Sequence, residues 1–210
     1  MQDNAHRYFI INKPYNMVSQ FVSTHKVSLL GNLTFNFPEG THAIGRLDNY
    51  SEGLLILTTN KKVTRLLFLG DIPHKRTYLV QINNLLSAGN LRLLQSGVTI
   101  RIKGGVAYNT PPCDVIVITH PENLYHTTAT LPLYGPHTWL LITLTEGKYH
   151  QVRKMIGAIH HRIKRLIRVS IEEILLGDLQ PGEVREMEER IFFELLNISH
   201  YKQVETKDNK

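Results

Sequence analysis

The chain has 210 residues, of which 42% are hydrophobic and 20% charged, so it is long enough to bury a globular core. It contains neither a secretory signal at its start nor an apolar run close to the roughly 20 residues that span a bilayer. Its single cysteine, Cys113, excludes an internal disulfide and a cysteine-based zinc site. These features predict a cytoplasmic protein without a membrane partner.

The first third of the chain is predicted to hold short strands and one helix. We expect a strand over residues 8–11 and a second one over residues 17–22 that pairs with it. Residues 32–41, rich in Asn, Pro and Gly, indicate a loop. The continuous apolar run at residues 54–57 indicates a buried strand, and Asn60 then predicts the N-cap of a helix that ends at Gly70.

The remainder is predicted to contain more strands than helices. Turns that carry Gly or Pro separate the strand candidates, which cover residues 76–82, 98–102, 115–119, 139–144 and 163–171. Apolar spacing predicts helices after Ser87, over residues 148–159 and over residues 188–198. Because many strands are adjacent in sequence, we expect an α+β fold with a largely antiparallel central sheet flanked by helices.

Positive charge is concentrated in one part of this basic chain, whose formal net charge is +6. Between Glu146 and Glu172 there is no acidic residue, whereas seven Lys or Arg residues occur there. A solvated face usually mixes both signs, so this stretch predicts a surface that binds phosphate groups. An anionic partner such as nucleic acid is therefore expected.

The segment Gly45-Arg46-Leu47-Asp48 is followed by Ser51-Glu52-Gly53 and the buried strand. If the segment is extended, Arg46 and Asp48 lie on the same side and Leu47 points into the core. From the residues alone, it is either a charged turn between strands, where Asp and Gly are common, or a site that presents a carboxylate.

A second informative segment extends from Glu146 to Met155. A glycine turn that leads into a basic helix directs cations and backbone N–H groups toward an anion. The alternative interpretation is a solvated helix face beside a core stripe formed by Val152, Met155 and Ile156.

Together the two segments resemble the RsuA-type pseudouridine synthases, whose hallmark is Gly-Arg-Leu-Asp followed by a hydroxyl residue, a glycine and an apolar strand that ends in Thr-Asn. The resemblance extends from about Tyr8 to Met187. Ser51 replaces a common Thr, Lys154 a frequent Arg, and Asn16 a frequent Gly. The further matches in type and order are Asn12-Lys13-Pro14, residues 75–80, Glu146-Gly147, Gln151-Val152-Arg153 and Met155.

The small N-terminal S4 domain of many relatives has no room before Tyr8. The resemblance is therefore strongest to the subgroup that resembles large ribosomal subunit pseudouridine synthase E. It implies a pseudouridine synthase fold with an active-site cleft between two subdomains. The implied division of the chain is a flexible segment at residues 1–7, a catalytic domain at residues 8–200 and a disordered tail at residues 201–210.

The resemblance also implies a function, the isomerisation of a specific uridine in ribosomal RNA of the large subunit. The reaction requires no cofactor and no metal. The partner is free ribosomal RNA or an assembling ribosomal particle, a transfer RNA remains a possible substrate, and the enzyme is expected to act as a monomer.

By the same resemblance, Asp48 is the catalytic nucleophile and Arg153 is the cation that pairs with it. Tyr78 is the active-site tyrosine, which stacks on the base and mediates proton transfer. The target uridine must be flipped out of its stack, and Arg46 then fills the vacated space or holds a phosphate. The other expected RNA contacts are Lys13, Lys148, Lys154 and Arg165.

Two other functions are consistent with the residues. One is an RNA-binding ribosome-assembly factor on the same fold, without essential catalysis. The other is a metal-dependent nuclease that uses Asp48 and Glu52, although a two-metal site requires more clustered carboxylates than the chain presents. A binder does not require Asp48, Tyr78 and Arg153 together, so the enzyme is favoured. The histidines of the basic stretch, His150, His160 and His161, are not expected to bind a metal, because no Asp or Glu lies between Glu146 and Glu172 to complete a site.

Overall fold

The computed structural model describes residues 5–68, 72–125 and 135–198. A nine-stranded sheet forms the centre of this part of the chain. Its strands are β1 (Tyr8–Lys13), β2 (His42–Ile44), β3 (Glu52–Thr58), β4 (Arg76–Asn83), β7 (Asp114–Ile118), β8 (His137–Leu144), β9 (Ile163–Ile171), β10 (Ile174–Leu175) and β11 (Val184–Met187). A separate hairpin contains β5 (Thr99–Arg101) and β6 (Ala107–Asn109), and the helices are α1 (Val63–Phe68), α2 (Ala88–Ser96), α3 (Gln151–Ala158) and α4 (Glu189–Leu195).

The sheet consists of two antiparallel halves that meet at a short parallel pairing. One half has the order β11-β1-β3, with β2 beside the end of β3, and the other has the order β9-β4-β8-β7, with β10 beside β9. At the junction, Glu52 of β3 pairs with Ile167 of β9, and Gly53 pairs with Arg168. The predicted α+β fold with a largely antiparallel sheet is confirmed.

The first half is apolar along β1 and β3 because both faces of these strands are covered. Tyr8 and Ile10 lie in a cluster that also contains residues of α1 and α4. Phe9 and Ile11 point the other way, into a cluster with Leu30 and Leu47. Alternate residues of one strand therefore contribute to two different cores, as the two-residue period of a strand requires.

The second half packs against α2 and α3. Val80 of β4 and Ile142 of β8 lie in one buried cluster with Val152, Met155 and Ile156 of α3. The core stripe predicted for this helix is thus present, and the opposite side of the helix is left to carry polar residues. None of the helices within the described ranges is long and apolar enough to cross a membrane.

Gly53 permits the close approach of the two halves. Its φ of +95° lies in the region that L side chains rarely adopt, and a Cβ there would lie 2.4 Å from the Arg168 carbonyl oxygen. The glycine that follows the Gly-Arg-Leu-Asp segment is therefore required by the junction between β3 and β9.

Three local predictions need correction. Residues 17–22 do not form a strand beside β1, because β3 and β11 occupy both of its edges. The helix predicted from residue 148 begins at Gln151, since His150 adopts a left-handed φ of 55°. The short strands β2, β6, β10 and β11 were not predicted, because two to four residues carry too little pattern. Gly70 and the predicted tail at residues 201–210 lie outside the described residues.

Candidate active site

A cleft of about 620 Å³ opens where the two halves of the sheet meet. One side is formed by residues 45–49, which precede β3, and by residues 18–20. The other side is formed by residues 147–150, before α3. Tyr78 of β4 and Arg168 of β9 lie between them. The cleft thus collects residues from both halves of the chain, as the resemblance implied.

Asp48 is presented by a loop whose backbone is firmly held. The Ser19 hydroxyl accepts a hydrogen bond from the Leu47 N–H at 3.0 Å and donates one to the Leu47 carbonyl oxygen at 2.9 Å. The Leu47 side chain is buried, and Ser51 N–H donates to the Asp48 carbonyl oxygen at 3.0 Å. Arg46 and Asp48 both line the cleft, so the predicted alternation of this segment is confirmed.

The Asp48 carboxylate lies between two basic side chains. Arg153 Nε is 3.4 Å from Oδ2, and His150 Nε2 is 3.2 Å from Oδ1. The Arg153 side chain also donates through Nη2 to the Tyr50 carbonyl oxygen at 2.9 Å and to Ser51 Oγ at 3.1 Å. Arg153 therefore fixes both the carboxylate and the turn that carries it.

The contact of His150 with Asp48 was missed in the sequence. The His150 ring stacks on Tyr149, with ring centroids 3.8 Å apart and an interplanar angle of 18°. A usable signal exists, because His150 precedes Arg153 by three residues at the start of a helix, and side chains at that spacing reach the same point. The contact is not apparent from local sequence, because Asp48 lies about one hundred residues before His150.

Tyr78 lines the same cleft as Asp48 and is half-buried on β4. Its hydroxyl forms no hydrogen bond to any residue in the described ranges, so it is available to a bound base. Arg76, two residues earlier on the same strand, and Arg168, paired with Tyr78 on β9, also line the cleft and were not predicted as site residues.

Three of the predicted RNA contacts lie at or near the cleft. Arg46 and Lys148 are exposed on its rim. Lys154 is partly exposed on α3, with Nζ 5.3 Å from the centroid of the Tyr149 ring. These positions are accessible to a polyanion, and the RNA-contact role of the three residues stays a prediction.

Lys13 requires a correction, because its side chain is fully buried. Its Nζ donates to the carbonyl oxygens of Met17 at 2.6 Å, Pro14 at 2.8 Å and Asn49 at 3.4 Å. Burial lowers the pKa of Lys13 to about 8. The amine faces no solvent that a phosphate group can occupy, and instead it ties the Asp48 loop to the end of β1.

Arg165 requires the same correction. Its Nη2 and Nε donate to the two Glu52 carboxylate oxygens at 2.7 and 3.0 Å, inside the protein. Burial alone would lower the pKa of Arg165, but the Glu52 carboxylate more than offsets this and the pKa is raised. Both Glu52 oxygens are thus engaged, so Glu52 is not available to hold a metal ion together with Asp48, as the nuclease hypothesis requires.

The strongly exposed aromatic side chains of the described residues are Tyr15, Tyr50 and Tyr149. Tyr50 lies in the Asp48–Ser51 turn, and its ring contacts that of Tyr15 at a centroid distance of 5.4 Å. Tyr149 stacks on His150, which contacts Asp48. Exposed aromatic rings beside cationic groups form a surface on which unstacked bases can stack.

The chain is similar to several known proteins. The family described as RNA pseudouridylate synthase matches residues 7–158. The chain is 34% identical to ribosomal large subunit pseudouridine synthase E of Vibrio parahaemolyticus, over 87% of this chain and 74% of that protein. It is 30% identical to ribosomal small subunit pseudouridine synthase A of Yersinia pestis, over 85% and 68% of the two chains. A crystal structure of a pseudouridylate synthase shares the fold with a TM-score of 0.71 at 23% identity, covering 93% of this chain and 76% of that one.

Proposed function

The chain belongs to the RNA pseudouridylate synthase family and is an RNA pseudouridine synthase, and from that premise we propose that it isomerises one uridine of ribosomal RNA with Asp48 as nucleophile. The observation that carries the proposal is the meeting of Asp48, Arg153 and Tyr78 in one cleft. Large-subunit RNA is the proposed substrate, supported by the 34% identity to the large-subunit enzyme.

The reaction breaks the glycosidic bond between C1′ and N1, turns the uracil and joins C1′ to C5. C5 then loses its proton to solvent and N1 takes one up, so the product is an isomer of the substrate. Asp48 is the group in the cleft suited to attack the base or to assist cleavage at the sugar. The Arg153 cation lies 3.4 Å from Oδ2 and also bonds the turn that carries Asp48, so it holds the carboxylate in a fixed orientation in the cleft.

Tyr78 and His150 complete the proposed chemistry. The Tyr78 ring forms a wall on which the uracil stacks, and its free hydroxyl mediates removal of the C5 proton. His150 holds Oδ1 of Asp48 while Arg153 holds the other side of the carboxylate. When the substrate enters, Oδ1 is released to it, whereas the backbone contacts of Arg153 keep the loop in place.

The uridine must leave its stack to reach Asp48. The exposed Tyr149 ring and the cations of Arg46 and Lys148 line the cleft, and Tyr50 lies in the Asp48–Ser51 turn beside it, so these groups can hold the flanking nucleotides. An RNA-binding factor without catalysis does not require the carboxylate, its arginine and an unbonded tyrosine hydroxyl in the same cleft.

Release of tritium from RNA labelled at uridine C5 tests this function. Unmodified large-subunit and small-subunit ribosomal RNA are each incubated with the wild-type protein and with Asp48→Asn. We expect release from large-subunit RNA by the wild type alone. Release from small-subunit RNA alone would overturn the choice of substrate, and release by Asp48→Asn would overturn the nucleophile. An absence of release from both RNAs and from immature ribosomal particles would favour the binding factor.

A further inference from the structure

Arg76 is a buried cation that has no hydrogen-bond acceptor among the described residues. Its side chain is 7% exposed, and the guanidinium carbon lies 4.5 Å from the centroid of the Phe68 ring. The guanidinium forms no hydrogen bond or ion pair with any residue in the described ranges, and its Nε is buried as well as unbonded. Buried polar groups are almost always paired, and an unpaired buried charge is costly, so this arginine calls for an explanation.

Arg168 adds a second unsatisfied donor to the same place. It is 3% exposed, and its Nε donates to the Leu54 carbonyl oxygen at 2.8 Å, but its Nη2 has no partner among the described residues. Arg168 pairs with Tyr78 across the strands, and Arg76 precedes Tyr78 by two residues on β4. Both guanidinium groups therefore adjoin the tyrosine and line the cleft.

The carboxylates around these arginines are already engaged. Glu172 accepts from the Lys75 N–H at 2.6 Å and from the Asn197 amide at 3.1 Å. Glu146 accepts from the Gln151 amide at 2.6 Å and from the Tyr108 hydroxyl. Among the described residues, neither carboxylate forms a hydrogen bond or an ion pair with Arg76 or Arg168, although the charge of Glu172 acts on Arg76 from a longer distance.

Space for an external anion exists beside Arg76. Gly147 lines the cleft there, and a Cβ at this position would lie 3.3 Å from Arg76 Nη1. The glycine therefore leaves the guanidinium open on that side. Guanidinium groups bind phosphate oxygens through several parallel N–H donors, which suits a planar cation that lacks protein acceptors.

We propose that Arg76 and Arg168 form an anion subsite that binds a backbone phosphate of the RNA next to the flipped uridine. This inference rests on the proposed function for the identity of the anion. The location beside Tyr78 places the phosphate next to the nucleotide whose base contacts that ring. Substrate binding then supplies the acceptors that the two buried guanidinium groups lack in the free protein.

The test separates a binding role from a structural one. Arg76→Met removes an unpaired buried charge and keeps a side chain of similar reach, so the free protein should melt at the same or a higher temperature. Binding of a fluorescein-labelled 12-nucleotide oligouridylate should weaken about tenfold, and the slope of log affinity against log salt should fall by about 0.7. Arg76→Lys, which keeps the charge, should retain the slope with an intermediate affinity.

Arg92→Met is the matched control, because it removes the same charge from an exposed position on α2. It should leave oligonucleotide affinity within about twofold of the wild type, since it is remote from the cleft. An unchanged affinity and slope for Arg76→Met would overturn the subsite. So would a lower melting temperature with an unchanged slope, which would indicate a structural role.

Two further measurements are needed. One distinguishes RNA from free phosphate as the bound anion, and the other separates the anion subsite from the proposed catalytic function. If inorganic phosphate stabilises the wild type but not Arg76→Met, and the two proteins bind RNA equally well, the site is one for free phosphate. That result would overturn the RNA assignment. Tritium release is measured on the same proteins. A shifted salt slope without release by the wild type would support the subsite while contradicting the proposed function.

Discussion

Two carboxylates that lie four residues apart, Asp48 and Glu52, each face an arginine from the basic stretch, yet their surroundings differ. The Glu52 side chain is 5% exposed and receives two donors from Arg165 at 2.7 and 3.0 Å. The Asp48 side chain is 32% exposed, and Arg153 approaches one oxygen only, at 3.4 Å. The tight buried pair is suited to hold the structure, whereas the loose accessible pair is suited to act on a substrate.

The position of each pair in the sheet explains the difference. Glu52 belongs to the β3–β9 junction and is buried there, so its charge requires a partner inside the protein. Asp48 lies just before β3, in a loop held by its backbone, so the carboxylate itself stays free for other contacts. Sequence proximity and equal charge therefore do not predict equal roles.

Removing the buried carboxylate should have the largest effect on stability. Glu52→Gln leaves the Arg165 charge buried without a counter-ion, so we expect the free energy of unfolding to fall by about 3 kcal/mol in urea denaturation. Glu194→Gln, which breaks the exposed pair with Arg190, serves as the control and should cost less than about 1 kcal/mol. Similar small losses in both variants would contradict a structural role for the Glu52–Arg165 pair.

Lys13, whose pKa responds to both carboxylates, makes stability depend on pH. Burial lowers its pKa from 10.5 to about 8. Between these values the unfolded chain holds a proton that the folded chain has lost, so stability rises with pH, by at most about 3 kcal/mol. Urea denaturation of the wild type and of Lys13→Met from pH 7.5 to 10.5 measures this effect. As the pH rises, the free energy of unfolding of the wild type should increase relative to that of Lys13→Met. A difference independent of pH would show that Asp48 and Glu52 keep the amine protonated.

Loss of Arg153, the partner of the accessible Asp48 carboxylate, should affect catalysis more than RNA binding. Arg153→Ala should lower the single-turnover rate of tritium release about 100-fold, because the carboxylate loses its cation and its turn loses two hydrogen bonds. RNA affinity, measured by filter binding, should fall less than about fivefold, since one cation among several is removed. Arg153→Lys should restore part of the rate. Equal losses of rate and affinity would assign Arg153 as a phosphate contact instead.

His150 should have the smallest effect of the groups around Asp48. His150→Ala should lower the single-turnover rate about tenfold, because one of the two supports of the carboxylate is removed. His150→Gln keeps an N–H donor and should stay within about threefold of the wild type. An alanine variant with the wild-type rate would show that the contact with Asp48 has no role in the reaction.

Sequence reasoning was accurate where a pattern is local and repeated. The apolar run that forms β3, the Ser87 cap of α2 and the core stripe of α3 were all predicted, because each depends on neighbours within a few residues. The convergence of Asp48, Tyr78 and Arg153 came from the family resemblance, since spacing alone does not bring together residues separated by one hundred positions.

The errors concern positions that the fold decides. Lys164 and Arg165 are consecutive cations on β9, yet one is exposed and the other is buried against Glu52. Which face of a strand is covered depends on how the sheet halves are assembled, and charge carries no information about that. Lys13 was misassigned for the same reason, and the contact of His150 with Asp48 exists only because the loop before β3 meets the turn before α3.

The most direct test of the central claim compares tritium release by Asp48→Asn and by Glu52→Gln. Both rates are measured side by side and expressed per folded molecule. We expect Asp48→Asn to fold normally and to lose at least about a thousandfold in rate, because the proposed nucleophile is gone. Glu52→Gln should be less stable but should stay within about tenfold of the wild type once unfolded protein is discounted. Substantial release by Asp48→Asn, or an equal loss in folded Glu52→Gln, would contradict the division between a chemical and a structural carboxylate.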